Sequence, residues 1–193
     1  DFEMTDTIDR LAGLEQGSPT FTTRHEREKV ALATQACEDL LLGDTLQTDL
    51  TQAERLVLAS EQARVSGVNV LQAVYRARAL TLDTAAITPE LRTILNQPGA
   101  QTGNARMDAM LHFVRALALN PAESDQAALL AIPAAGLSLN DTVLLAQLIG
   151  FVAYQARLLV GMQAMNDLGG KADAPAATPA DAAPFVHPAN LPP

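Results

Sequence analysis

Cysteine is nearly missing from this chain of 193 residues, where Cys37 stands alone. One thiol excludes an internal disulfide framework and fits a reducing compartment such as the cytoplasm. Positive charge is also short. Lys and Arg number 13 against 22 Asp and Glu, for a net charge of −9 and a pI near 4.7. Nucleic-acid affinity rests on neutralising phosphates with Lys and Arg, so no nucleic-acid partner is expected. Long hydrophobic runs are interrupted. The most apolar stretch, Thr142 to Met165, carries Gln147, Gln155, Arg157 and Gln163, which favours a buried core helix over a membrane span. The opening "DFEMTDTIDR" is acidic and leads into no apolar segment, so it reads as no secretory signal. Its first three residues read as a processing remnant ahead of Met4.

Apolar residues make up 48% of the chain and charged ones 18%, the balance of a globular domain. Period-two alternation is absent, and one helix follows another. A short helix is expected over Met4–Leu14 and a longer one over Thr23–Leu42, with Val30, Ala33, Cys37 and Leu41 as its apolar stripe. Helices Thr51–Arg64 and Ser66–Leu80 follow, then one opening at Thr88-Pro89, where proline suits the first helical position. Next come Asn104–Leu119 and a helix from about Ser124 that Pro133 should kink or end. Ser138 and Asp141 form the N-cap of a last, long helix, stopped by Gly169-Gly170. The expectation is an all-α domain of about seven to eight helices over residues 4–169. Residues 170–193, rich in Ala and Pro, read as a flexible tail or linker.

Three stretches carry a resemblance: "MTDTIDRLAGLEQGSP", "LTQAERLVLASEQARVSG" and "LLAIPAAGLSLNDTVLLAQLIGFVAYQARLLVGMQAM". Together they resemble the AhpD-like, carboxymuconolactone decarboxylase (CMD) family of small helical proteins, over most of the chain. The best-matched element, "AAGLSLNDTVLLAQLI", supports the fold and carries no chemistry. Peroxidases of that family have a Glu, then Cys-x-x-Cys at a helix start, then a nearby His. A helix N-terminus stabilises a thiolate there, and the Glu and His move the proton. The resemblance matches the glutamate to Glu54. It places the cysteines at Ser66 and Asn69 and the histidine at Ala73, or one residue later at Gly67, Val70 and Val74. Neither register contains Cys or His, so thiol peroxidase activity is expected to be absent.

Each candidate has a structural reading beside its functional one. Thr51-Gln52-Ala53-Glu54 fits a capping box, which explains Glu54 fully and ranks ahead of catalysis. Cys37 lies on an apolar stripe beside Glu38 and Asp39, surroundings that disfavour a thiolate. Arg157 is the one formal charge between Thr142 and Met165, and burial would demand a partner for it. It reads as an interface or helix-end residue ahead of a ligand anchor, and Tyr154 reads as core. Asp108 and His112 read as a surface pair at i, i+4 spacing, and Arg76 with Arg78 as a solvated face. His25, His112 and His187 are too dispersed for a metal site. No cofactor or membrane association is expected.

The resemblance implies a peroxidase-related antioxidant-family protein without redox cysteines, a structural or regulatory relative of active members or a binder of a small apolar ligand. A second reading is a decarboxylase-type enzyme on a small carboxylate-bearing substrate, with Glu54, Ser66 and Arg157 as candidate site residues. A third is a helical protein-interaction module. Wide apolar helix faces imply a homo-oligomer. "PFVHP" at 184–188 resembles the lead-in of cysteine-bearing relatives and implies such a catalytic relative as partner.

Overall fold

The computed structural model describes residues 6–119 and 126–170. Among the described residues there are nine α-helices and no strand, so the fold is all-α. They are α1 (Thr7–Ala12), α2 (Pro19–His25), α3 (Glu28–Leu42), α4 (Gln52–Val65), α5 (Asn69–Leu80), α6 (Pro89–Asn96), α7 (Ala105–Leu119), α8 (Gln126–Ala134) and α9 (Leu139–Asp167), with a 3₁₀ turn at Thr84–Ala86. The expected helix start at Met4, the start near Ser124 and the tail from residue 171 onward lie outside the described residues.

Local chemistry sets most helix ends. Thr51 accepts from the Glu54 N–H while the Glu54 carboxylate accepts from the Thr51 N–H, closing a capping box on α4. Thr88 with Pro89 opens α6, and Ser138 accepts from the Asp141 N–H to open α9. α8 ends one residue after Pro133.

Two expectations fail in the same region. The single helix over Thr23–Leu42 is broken at Glu26-Arg27 into α2 and α3. The apolar stripe of α3 is also rotated: Val30 is 52% exposed, while Ala31, Thr34, Glu38, Leu41 and Leu42 are buried. Polar partners waiting on α1, α5 and α9 pull Thr34 and Glu38 inward. Glu38 Oε1 accepts from Thr7 Oγ1 at 3.0 Å and from Arg78 at 3.1 Å, and its Oε2 accepts from Gln155 Nε2 at 2.9 Å. Gln155 in turn accepts from the Tyr75 hydroxyl. Burial pushes the Glu38 carboxyl above the usual carboxylate range, although the hydrogen bonds from Thr7 and Gln155 and the charge of Arg78 oppose it. Arg78 therefore belongs to this network, and Arg76 donates to the Leu95 carbonyl, so neither is merely solvated.

At the centre lies α4, packed chiefly on α5, α7 and α9. Every residue from Ala53 to Ala63 is buried. Charged side chains inside this helix have dedicated partners. Arg55 donates to the carbonyls of Leu41 (2.5 Å), Gly43 (3.0 Å) and Leu50 (3.0 Å), tying the end of α3 to α4. Glu61 accepts from Arg64 and from Arg115 of α7. Burial alone would raise its pKa, but the two guanidiniums outweigh it and hold it below the ordinary value. The 29 residues of α9, with a mean hydropathy of 1.7 in their most apolar window, are long and apolar enough to cross a membrane. Its buried face of Leu145, Leu148, Val152 and Leu159 forms a wall of the core, an arrangement compatible with a soluble protein.

Candidate functional site

The Ser-Gly break after α4 has a local cause. Ser66 is the C-cap and Gly67 adopts φ +75°, the left-handed conformation glycine tolerates best. The Val68 N–H bonds back to the Ala63 carbonyl and the Gly67 N–H to the Arg64 carbonyl. That pair of bonds is a Schellman motif. It reverses the chain into α5, whose N-cap, Val68, offers no side-chain hydrogen bond.

A cavity of about 520 Å³ remains beside this corner, between α4, α7 and α9. Ser66 and Val68 line one part of it, Leu117 another, and the small residues Gly150, Ala153 and Ala156 of α9 form a shallow wall. Arg157 lines the same cavity. It is exposed, and its side chain has no partner among the described residues. Gln62 is 3% exposed and donates from Nε2 to Ser66 Oγ at 3.2 Å, while its Oε1 has no hydrogen-bond partner. Whichever way the amide is turned, one of its two polar atoms is left unsatisfied. No sequence signal singled Gln62 out beyond its place one turn before Ser66.

The structure brings Ser66 and Arg157 together and leaves Glu54 elsewhere. Glu54 stands at the opposite end of α4, twelve residues earlier, or about 18 Å along the helix axis. Its carboxylate accepts from the Thr51 N–H and is paired with Arg106 of α7. Both oxygens are engaged, in a second cavity that contains neither Ser66 nor Arg157. Asn69, the other position matched to a cysteine, is exposed at the start of α5.

The remaining candidates resolve individually. Cys37 is partly buried against the core, and burial raises its thiol pKa, away from the reactive thiolate. Asp108 caps the loop before α7 by accepting from Thr102 and Gly103. It is not paired with His112. His25 is held by Asp9 at 2.8 Å and stacks on Phe21 with ring centroids 4.1 Å apart, beside a cavity of about 550 Å³. Arg24 also binds Asp9, at 2.7 Å, and among the described residues no serine, threonine or cysteine lines that cavity to act as nucleophile. Among the described residues no cluster of His, Cys, Asp and Glu is placed to hold a metal ion. Residue spacing carries no warning of the Asp9–His25 pair, whose members come from different helices. Comparisons with protein-family models, curated proteins and solved structures produced no match.

Proposed function

We propose that this chain is a relative of the AhpD-like, CMD-type proteins that lacks their redox cysteines and binds a small, largely apolar ligand in the groove beside Ser66. One observation carries the reading: the groove persists where the resemblance places redox cysteines, yet among the described residues no Cys or His lines it. A cavity of about 520 Å³ falls within the usual size of small-molecule sites. The decarboxylase-type alternative needs Glu54 and Arg157 in one pocket, and the geometry separates them. Antioxidant turnover is not part of this reading, and a structural or regulatory role in the cytoplasm is. The exposed apolar residues Leu130 (62%) and Leu139 (71%) on α8 and α9 favour a homo-oligomer. A cysteine-bearing relative remains the proposed heterologous partner.

Binding of the fluorescent probe 1-anilinonaphthalene-8-sulfonate, compared between the native protein and a variant with the groove filled, tests the groove. Ala153→Phe should fill the groove and abolish saturable binding while the protein stays folded. Equal binding by the folded variant would remove the groove from the function. Hydroperoxide consumption with a dithiol reductant should stay at background, and turnover lost in Cys37→Ser would show that Cys37 is catalytic after all.

A further inference from the structure

The groove beside Ser66 also carries information about its ligand's chemistry. Arg157 is the only charged residue among those described as lining it, and it has no partner there. An exposed guanidinium at the wall of an apolar groove matches a single negative charge. A dianion such as phosphate would leave one charge uncompensated. The start of α5 adds to the same field, since Val68 lines the groove and supplies no cap for the first-turn N–H groups. The unpartnered Gln62 Oε1 asks for a donor, because a buried acceptor left unsatisfied is costly. The rest of the lining among the described residues is aliphatic, with Val65, Leu117, Ile149 and Val160 and no aromatic ring.

We propose that the ligand is an aliphatic monocarboxylic acid carrying a hydroxyl or N–H donor, its carboxylate held by Arg157 and its donor satisfying Gln62. The assignment rests on the reading of this groove as the ligand site. Serine 66 shares the polar end: Ser66 Oγ already accepts from Gln62 and keeps its own proton to donate.

Calorimetric titration with four probes separates the assignment from the reading beneath it: octanoate, 2-hydroxyoctanoate, 1-octanol and octylamine. Octanoate should bind more tightly than 1-octanol or octylamine, and 2-hydroxyoctanoate at least about threefold more tightly than octanoate, a modest return for one further hydrogen bond. Arg157→Gln, a change at an exposed position, should weaken both acids about tenfold, as expected for a lost charge-assisted hydrogen bond, and leave 1-octanol unchanged. Gln62→Leu should erase the preference for the hydroxy acid. If that variant fails to fold, the preference in the native protein still decides the point. Binding of 1-octanol or octylamine as tight as that of octanoate, or acids indifferent to Arg157→Gln, would overturn the carboxylate assignment while keeping the groove as a site. Acids bound with no preference for the hydroxyl would overturn the Gln62 role. Failure of all four probes to bind would overturn the assignment together with the reading of the groove as a ligand site.

Discussion

Replacing Glu38 with alanine tests whether a buried carboxylate organises the junction of α1, α3, α5 and α9. The side chain is 4% exposed in its pair with Arg78 and accepts from Thr7 and Gln155. Removing it strands the Thr7 hydroxyl and the Gln155 amide, and each buried unsatisfied donor costs about 1–3 kcal/mol. The Arg78 side chain is 36% exposed, so water compensates most of that ion pair. Relief of the carboxylate's desolvation offsets part of the loss. The expected net destabilisation is about 2–4 kcal/mol, read from urea midpoints at constant m-value. Glu38→Gln should cost less, about 1 kcal/mol, because its amide keeps an acceptor for Thr7 but opposes the Gln155 N–H. Proton linkage supplies a second readout. Burial raises the Glu38 pKa, so the folded protein holds this proton more tightly than the unfolded chain. That contribution is fully present below the unfolded carboxylate value and is lost as pH rises through the raised folded value. The stability of the native protein minus that of Glu38→Gln should therefore fall as pH rises above the ordinary carboxylate range. A flat difference, or an alanine variant within about 0.5 kcal/mol of native, would refute the buried network.

Three further predictions concern other elements. Thr51→Ala should cost about 1 kcal/mol through the lost cap on α4. Glu54→Gln should cost more than a cap-preserving change normally would, about 1–2 kcal/mol, since Arg106 also loses its counter-charge; urea midpoints check both. Leu130→Glu with Leu139→Glu should shift sedimentation toward the monomer with little change in melting temperature, and an unchanged oligomer would move the interface elsewhere.

Helix boundaries were legible at Thr51, Thr88-Pro89 and Ser138, where a cap or a proline sets them, but not at Ser18-Pro19, where the same signals open α2 four residues before the expected start at Thr23. The break at Glu26-Arg27 was not, because neither residue carries a turn signature and the interruption follows from packing. The inward face of α3 was misjudged for a related reason. Periodicity weighs Val30 as core and Glu38 as surface, yet Glu38 meets partners 31, 40 and 117 residues away in sequence. Such spacing leaves no local mark. Ser66 and Arg157 were legible as candidates through the resemblance and through a lone charge in an apolar run. Gln62 was invisible, since an unsatisfied amide exists only once the helices around it are in place.

Arg55 places a permanent positive charge in the core and answers it with backbone carbonyls alone. Acid neutralises carboxylates, so the pairing of Glu61 with Arg64 and Arg115, which holds that carboxylate below its ordinary pKa, loses its attraction as pH falls through the lowered folded value. Carbonyl dipoles do not titrate. The corner that joins α3 to α4 should consequently outlast the ion-paired joints during acid denaturation, leaving its amides the last to exchange with solvent. The order in which this bundle comes apart in acid is thus encoded in the choice of acceptor around a single guanidinium.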